Sequence, residues 1–181
     1  VFEIWKEFDE VSVGASLDAS YARGELMRKG TKWNQTVANR ERMLKVCPDV
    51  DFYISSTLSI MNSYHIPDFH KEWIELGLLK PMDWNINILQ GPEYYRIDVL
   101  PEVMKQEVLK IYNDHISYLE DKDEFKRAIN GFKSAMNFMT GTDNSKLIPE
   151  LLQSLDKIDN LRKENFFDIF PELTRLKDYA N

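Results

Sequence analysis

A chain of 181 residues is long enough to bury a sizeable single core without disulfide staples. Hydrophobic residues make up 43% and charged residues 29%, the balance of a globular protein; a net charge of -7 excludes binding driven by broad neutralisation of nucleic-acid phosphates. The lone cysteine, Cys47, excludes an internal disulfide and any thiolate cluster built by this chain alone. No apolar run reaches the roughly 20 residues of a membrane span, and no secretory leader opens the chain, so a soluble, cytoplasmic protein is expected.

In chain order, Val1, Ile4, Trp5 and Phe8 recur at helical spacing, as if a helix were already under way, and the chain reads as a piece of a longer polypeptide. VSVGAS, residues 11–16, reads as a buried strand whose glycine permits close approach of another backbone. The polar stretch that follows, punctuated by Gly24 and Gly30, reads as irregular. A helix is expected over Asn34–Val46, capped by Asn34 or Thr31 and ended by Pro48 and Asp49. Val50–Met61 is β-rich and reads as a second buried strand, with hydroxyls at Ser55, Ser56, Thr57 and Ser59. Phe69, Trp73, Ile74 and Leu76 stripe a helix over Ile66–Leu79, stopped by Gly77 and Pro81, and Trp84–Leu89 is the third strand. Crossover helices between successive strands imply a parallel sheet whose carboxyl edge is the place for a ligand.

From Tyr94 the pattern changes. Tyr94–Leu100 reads as a short extended piece, and Pro101 at the first helical position opens a helix to about Leu119. Apolar stripes predict further helices over Phe125–Met139 and Leu147–Arg162, then a short aromatic helix in NFFDIF that breaks at Pro171. The acidic run from Glu120 to Glu124 reads as a solvated turn between helices.

Ser16 and Asp18, two residues apart at a strand end, can bind a sugar diol or serve as an ordinary turn and cap pair. Arg28, beside Lys29 and Lys32, can grip a carboxylate in a bidentate fork or belong to a solvated basic turn. His65 and His70 are five residues apart, which puts them on different sides of a helix and argues against a metal pair. His115 sits on an apolar stripe and reads as structural, as Cys47 does at its helix end. No GxSxG, P-loop or GxGxxG is present.

In order, VSVGASLDASYARGELMRKGTKW, VDFYISSTLSIMNSYHIPDFHKEWIELGL and WNINILQGPEYYRIDVLP resemble the later half of a radical SAM core, most similar to twitch-domain-containing radical SAM proteins. The resemblance rests on Ser16-Leu17-Asp18, on Arg28-Lys29-Gly30 about a dozen residues later, on the hydroxyl run with Asn62, and on Leu89. It implies a partial (β/α)6 barrel in which residues 1–100 supply three parallel strands, followed over 101–181 by a helical extension packed on them. In such proteins a 4Fe-4S cluster reduces S-adenosylmethionine, and the resulting 5′-deoxyadenosyl radical abstracts hydrogen from a substrate. By the resemblance, Ser16 and Asp18 face the ribose or aminoacyl part of the cofactor, Arg28 pairs with its carboxylate and Leu89 packs on adenine; Ser56, Thr57 and Asn62 line the same mouth.

The CxxxCxxC loop that ligates the cluster is absent, so the cluster belongs to the full-length parent and this chain alone is expected to be inactive. The implied partners are the missing N-terminal half of the same barrel and an unknown small-molecule or peptide substrate, with no nucleic acid and no membrane. Such a fragment leaves the edge of its first strand open. Two other readings stand beside this one. The first is a non-catalytic α/β interaction domain whose helical tail binds a protein partner; the second is a different parallel α/β enzyme that binds a small anion near Arg28.

Overall fold

Three strands, β1 (Ser12–Ala15), β2 (Asp51–Leu58) and β3 (Trp84–Ile88), form a parallel sheet in the order β1-β2-β3 in the computed structural model, which describes residues 1–120 and 123–180. Parallel pairing follows from the connections. Helices α2 (Tyr21–Met27) and α3 (Trp33–Val46) separate β1 from β2, and α4 (Ile66–Glu75) separates β2 from β3; α1 (Phe2–Trp5) precedes them all. Register pairs Gly14 with Tyr53 and Thr57 with Asn87, so Gly14, Tyr53, Ser55, Thr57, Asn85 and Asn87 share one face. Phe52, Ile54, Ser56, Leu58 and Trp84 share the other, and all five are buried.

The helices lie on that second face. Phe52 stacks on Trp73 of α4 at 6.4 Å, and the Arg40 guanidinium of α3 sits 3.9 Å from the Phe52 ring centre. Trp84, with no exposed surface, stacks on His70 at 4.2 Å and meets Phe132. Phe132 belongs to α6 (Lys126–Gly141), which runs over β3 beside α5 (Glu102–Leu119). Gly131 lets α6 come close, because a Cβ there would stand 3.3 Å from the Ile86 side chain. Truncating Trp84 to alanine would cost about 3–5 kcal/mol, the usual range for a buried tryptophan. One hydrophobic cluster therefore runs from the strands into the helices beyond Pro101. Helix α7 (Ile148–Arg162), α8 (Phe166–Ile169) and a 3-10 segment (Pro171–Tyr179) complete the chain.

The opposite face is polar. Tyr53 lies over Gly14, where a Cβ would meet its ring at 2.7 Å, Asn87 Nδ2 donates to Ser55 Oγ at 2.7 Å, and Ser12 Oγ donates to Asp51 at 2.9 Å. Among the described residues β1 has one strand neighbour, β2, and its other edge is unpaired. Ahead of β1, Val1, Ile4 and Phe8 are exposed.

Several local expectations change. Gly14 accommodates a tyrosine ring rather than a neighbouring backbone. The stretch after β1 is not irregular throughout, since α2 forms within it; Gly24 in that helix lies so close to the Ala19 carbonyl that a Cβ would stand 2.4 Å away. Neither Thr31 nor Asn34 caps α3. Its first N–H, on Trp33, donates to the Glu25 carboxylate at 2.7 Å, a cap brought from α2. Tyr94–Leu100 holds two 3-10 turns (Glu93–Tyr95 and Ile97–Val99) rather than an extended piece, and Pro101 stands one residue ahead of α5. Asp121 and Lys122 of the expected acidic turn lie outside the described residues.

Candidate functional site

Parallel strands bring their carboxyl ends to one edge, and there the chain lines a half-open cavity of about 240 Å³. The sheet side supplies Asp18, Thr57, Ser59, Met61 and Leu89; α2 adds Leu26 and Met27. The tail closes it with Leu155, Ile158, Asp159 and Arg162 of α7, then Glu164 and Phe166. The wall is mainly apolar, with three carboxylates and one guanidinium set into it.

Asp18 is the pivot. It is buried, and its Oδ1 accepts the Thr57 N–H at 2.7 Å and Arg28 Nη2 at 3.1 Å. Arg28 Nε lies 2.7 Å from Oδ2, so the pair is a two-point contact between the end of β1 and the end of α2. Asn62 is fully buried and holds the same strand ends together: its amide donates to the Asp18 carbonyl at 2.8 Å and the Thr57 carbonyl at 3.0 Å, while its Oδ1 accepts Ser59 N–H at 2.9 Å.

The six residues singled out in the sequence therefore separate. Asp18 and Leu89 line the cavity, and Arg28 reaches it through Asp18. Ser16 is exposed at the end of β1, outside the cavity wall. Asn62 stands behind the wall as a brace. Ser56 points to the helix-covered face, where its hydroxyl donates to the Leu17 carbonyl at 2.6 Å and accepts Trp84 Nε1–H at 2.9 Å. One residue further, Thr57 faces the cavity. The alternation of a strand puts only one of the two there.

The tail residues of the wall were not singled out, although their spacing carried a signal. Leu155, Asp159 and Arg162 lie at i, i+4 and i+7, so two charged residues share the apolar stripe of α7. Arg162 Nη1 donates to the Leu26 carbonyl at 3.0 Å, and Asp159 Oδ2 accepts the Phe166 N–H at 2.8 Å. Glu164 forms an ion pair with Lys29 that joins the tail to the basic turn after α2. Tyr95 hydrogen-bonds Ser154 at 3.1 Å, and burial pushes its hydroxyl pKa up.

The histidines are placed elsewhere. His65 Nε2 lies 2.7 Å from Glu172 of the tail; His70 Nδ1 lies 3.0 Å from His115 Nε2 in the core between α4 and α5. Among the described residues no three His, Cys, Asp or Glu side chains gather as a metal site. Cys47 is buried beside the amino end of β2, with Sγ 3.4 Å from the Phe2 carbonyl, at the edge of the sheet away from the cavity. Among the described residues no helix is long and apolar enough to cross a membrane. No family model, curated protein or solved structure matches the chain.

Proposed function

We propose that this chain is the second half of a radical SAM-type (β/α) barrel and that its carboxyl-edge cavity receives part of S-adenosylmethionine. The observation that carries the reading is the convergence of Asp18, Thr57 and Leu89, one from the end of each successive parallel strand, on a single cavity. Helices on one sheet face, a polar opposite face and an unpaired β1 edge are what half of such a barrel would present. The missing N-terminal half would cover the polar face and pair with β1.

The donor set fits the organic cofactor better than the cluster. An apolar wall of Met27, Met61 and Leu89 suits an adenine ring, and carboxylates suit a cationic ligand. Arg28, already bonded to Asp18, would share its fork with the ligand carboxylate. A volume of about 240 Å³ is below the roughly 300–1,000 Å³ of complete small-molecule pockets, as expected if the other half contributes the rest. Cys47 lies at the wrong edge to ligate a cluster, so the iron and its electron would belong to the parent's other half. When bound, S-adenosylmethionine and the cluster would supply the radical; the residues of this chain would bind and orient the cofactor. A cytoplasmic setting is part of the same proposal.

Calorimetry with S-adenosylmethionine on the full-length polypeptide, wild type against Arg28→Ala, tests the reading. The expected outcome is binding weakened by about tenfold or more, the usual scale for losing a charge-assisted contact. Unchanged affinity overturns the site.

A further inference from the structure

Three carboxylates line the cavity, and they differ in their counter-ions. Asp18 is paired with Arg28 and Glu164 with Lys29. Asp159 has no basic side chain within ion-pair distance among the described residues; its one hydrogen bond is the Phe166 N–H, 2.8 Å from Oδ2. Arg162, its neighbour in the wall, donates instead to the Leu26 carbonyl. A half-buried carboxylate in an apolar wall loses hydration without gaining a cation, an arrangement that favours a positively charged visitor.

We propose that Asp159 is the charge-selecting residue of the cavity and that its counterpart is the permanent sulfonium-type cation of the ligand. The inference rests on the reading of the cavity given above and extends it to the tail: α7 would be part of the ligand site rather than only its cover. Carboxylate and sulfonium attract without a hydrogen bond, so the contact needs only proximity in a low-dielectric wall. The Phe166 N–H fixes Oδ2 in place and leaves Oδ1 for the ligand.

The experiment compares S-adenosylmethionine with S-adenosylhomocysteine, which lacks the sulfonium charge, on full-length wild type and Asp159→Asn. Asparagine keeps an oxygen acceptor for the Phe166 N–H and removes only the charge. The expected result is a loss of about tenfold for S-adenosylmethionine and less than about twofold for S-adenosylhomocysteine. Equal effects on both ligands, or no effect on either, overturn the role of Asp159 while leaving the cavity reading in place. Failure of the wild-type protein to bind either ligand overturns the cavity reading and this inference together.

Discussion

Asn62 donates its side-chain amide to the main-chain carbonyl of Asp18 at 2.8 Å, tying the end of β1 to the turn that follows β2. The same amide reaches Thr57, so one buried side chain sets the spacing of two strand ends at the cavity. Asn62→Ala would leave the Ser59 N–H and two carbonyls without this partner, at a cost of about 2–4 kcal/mol. Urea denaturation should show that loss, together with weaker ligand binding.

Ser56 separates stability from binding. Its hydroxyl, fully buried on the helix face, bridges Leu17 and Trp84. Ser56→Ala should lower stability by about 1–3 kcal/mol and leave affinity for S-adenosylmethionine within about twofold. A large affinity loss with unchanged stability would return Ser56 to the ligand wall.

The Asp18–Arg28 pair is about one-third exposed on the arginine side, and solvent screens it. A double-mutant cycle with Asp18→Asn and Arg28→Ala should give a coupling of about 1 kcal/mol or less. Asparagine can still accept the Thr57 N–H, so Asp18→Asn should retain the strand-end geometry. Chemical denaturation of the four variants measures it.

Burial holds His70 down to about 3 and His115 down to about 4. Asp68 pulls His115 upward and Lys71 pushes it downward, while each histidine's own partner in the core is the other ring. Both values lie below the ordinary 6.5, so the unfolded chain binds more protons than the folded one below that pH. Stability from this pair is complete above about pH 6.5 and falls as pH drops from there toward 4 for His115 and toward 3 for His70, by up to about 1.4 kcal/mol per pH unit for each histidine. Urea midpoints should follow that fall, and a His70→Phe, His115→Leu double variant should flatten it.

What was legible from residue order was set by periodicity. The three strands announced themselves through β-branched, β-rich runs and the long helices through apolar stripes, although β1, read as buried, has no fully buried residue. The α2 helix did not, since Tyr21–Met27 is short and its stability comes from Trp33 and the tail packed around it. Asp18 and Leu89 could be singled out at strand ends. Ser56 and Thr57 could not be told apart without register, because one residue of slip exchanges the faces. Asp159 lies 141 positions after Asp18, and only the folding of α7 over the sheet edge brings both into one wall.

The Lys29–Glu164 pair joins the tail to the turn after α2, and Glu164 also lines a second groove with Lys29, Gly30 and Asn165. Lys29→Met should raise amide hydrogen exchange in 163–169 by about fivefold or less, in keeping with a partly exposed ion pair, without moving the melting temperature measurably. Exchange followed by mass spectrometry reads it directly.

The most direct measurement is a backbone amide chemical-shift titration of the full-length protein with S-adenosylmethionine. Saturable shifts are expected at Thr57, Met61, Leu89 and Asp159, with Cys47 and Val50 at the opposite edge unmoved. Shifts confined to that opposite edge, or none at saturating ligand, would contradict it.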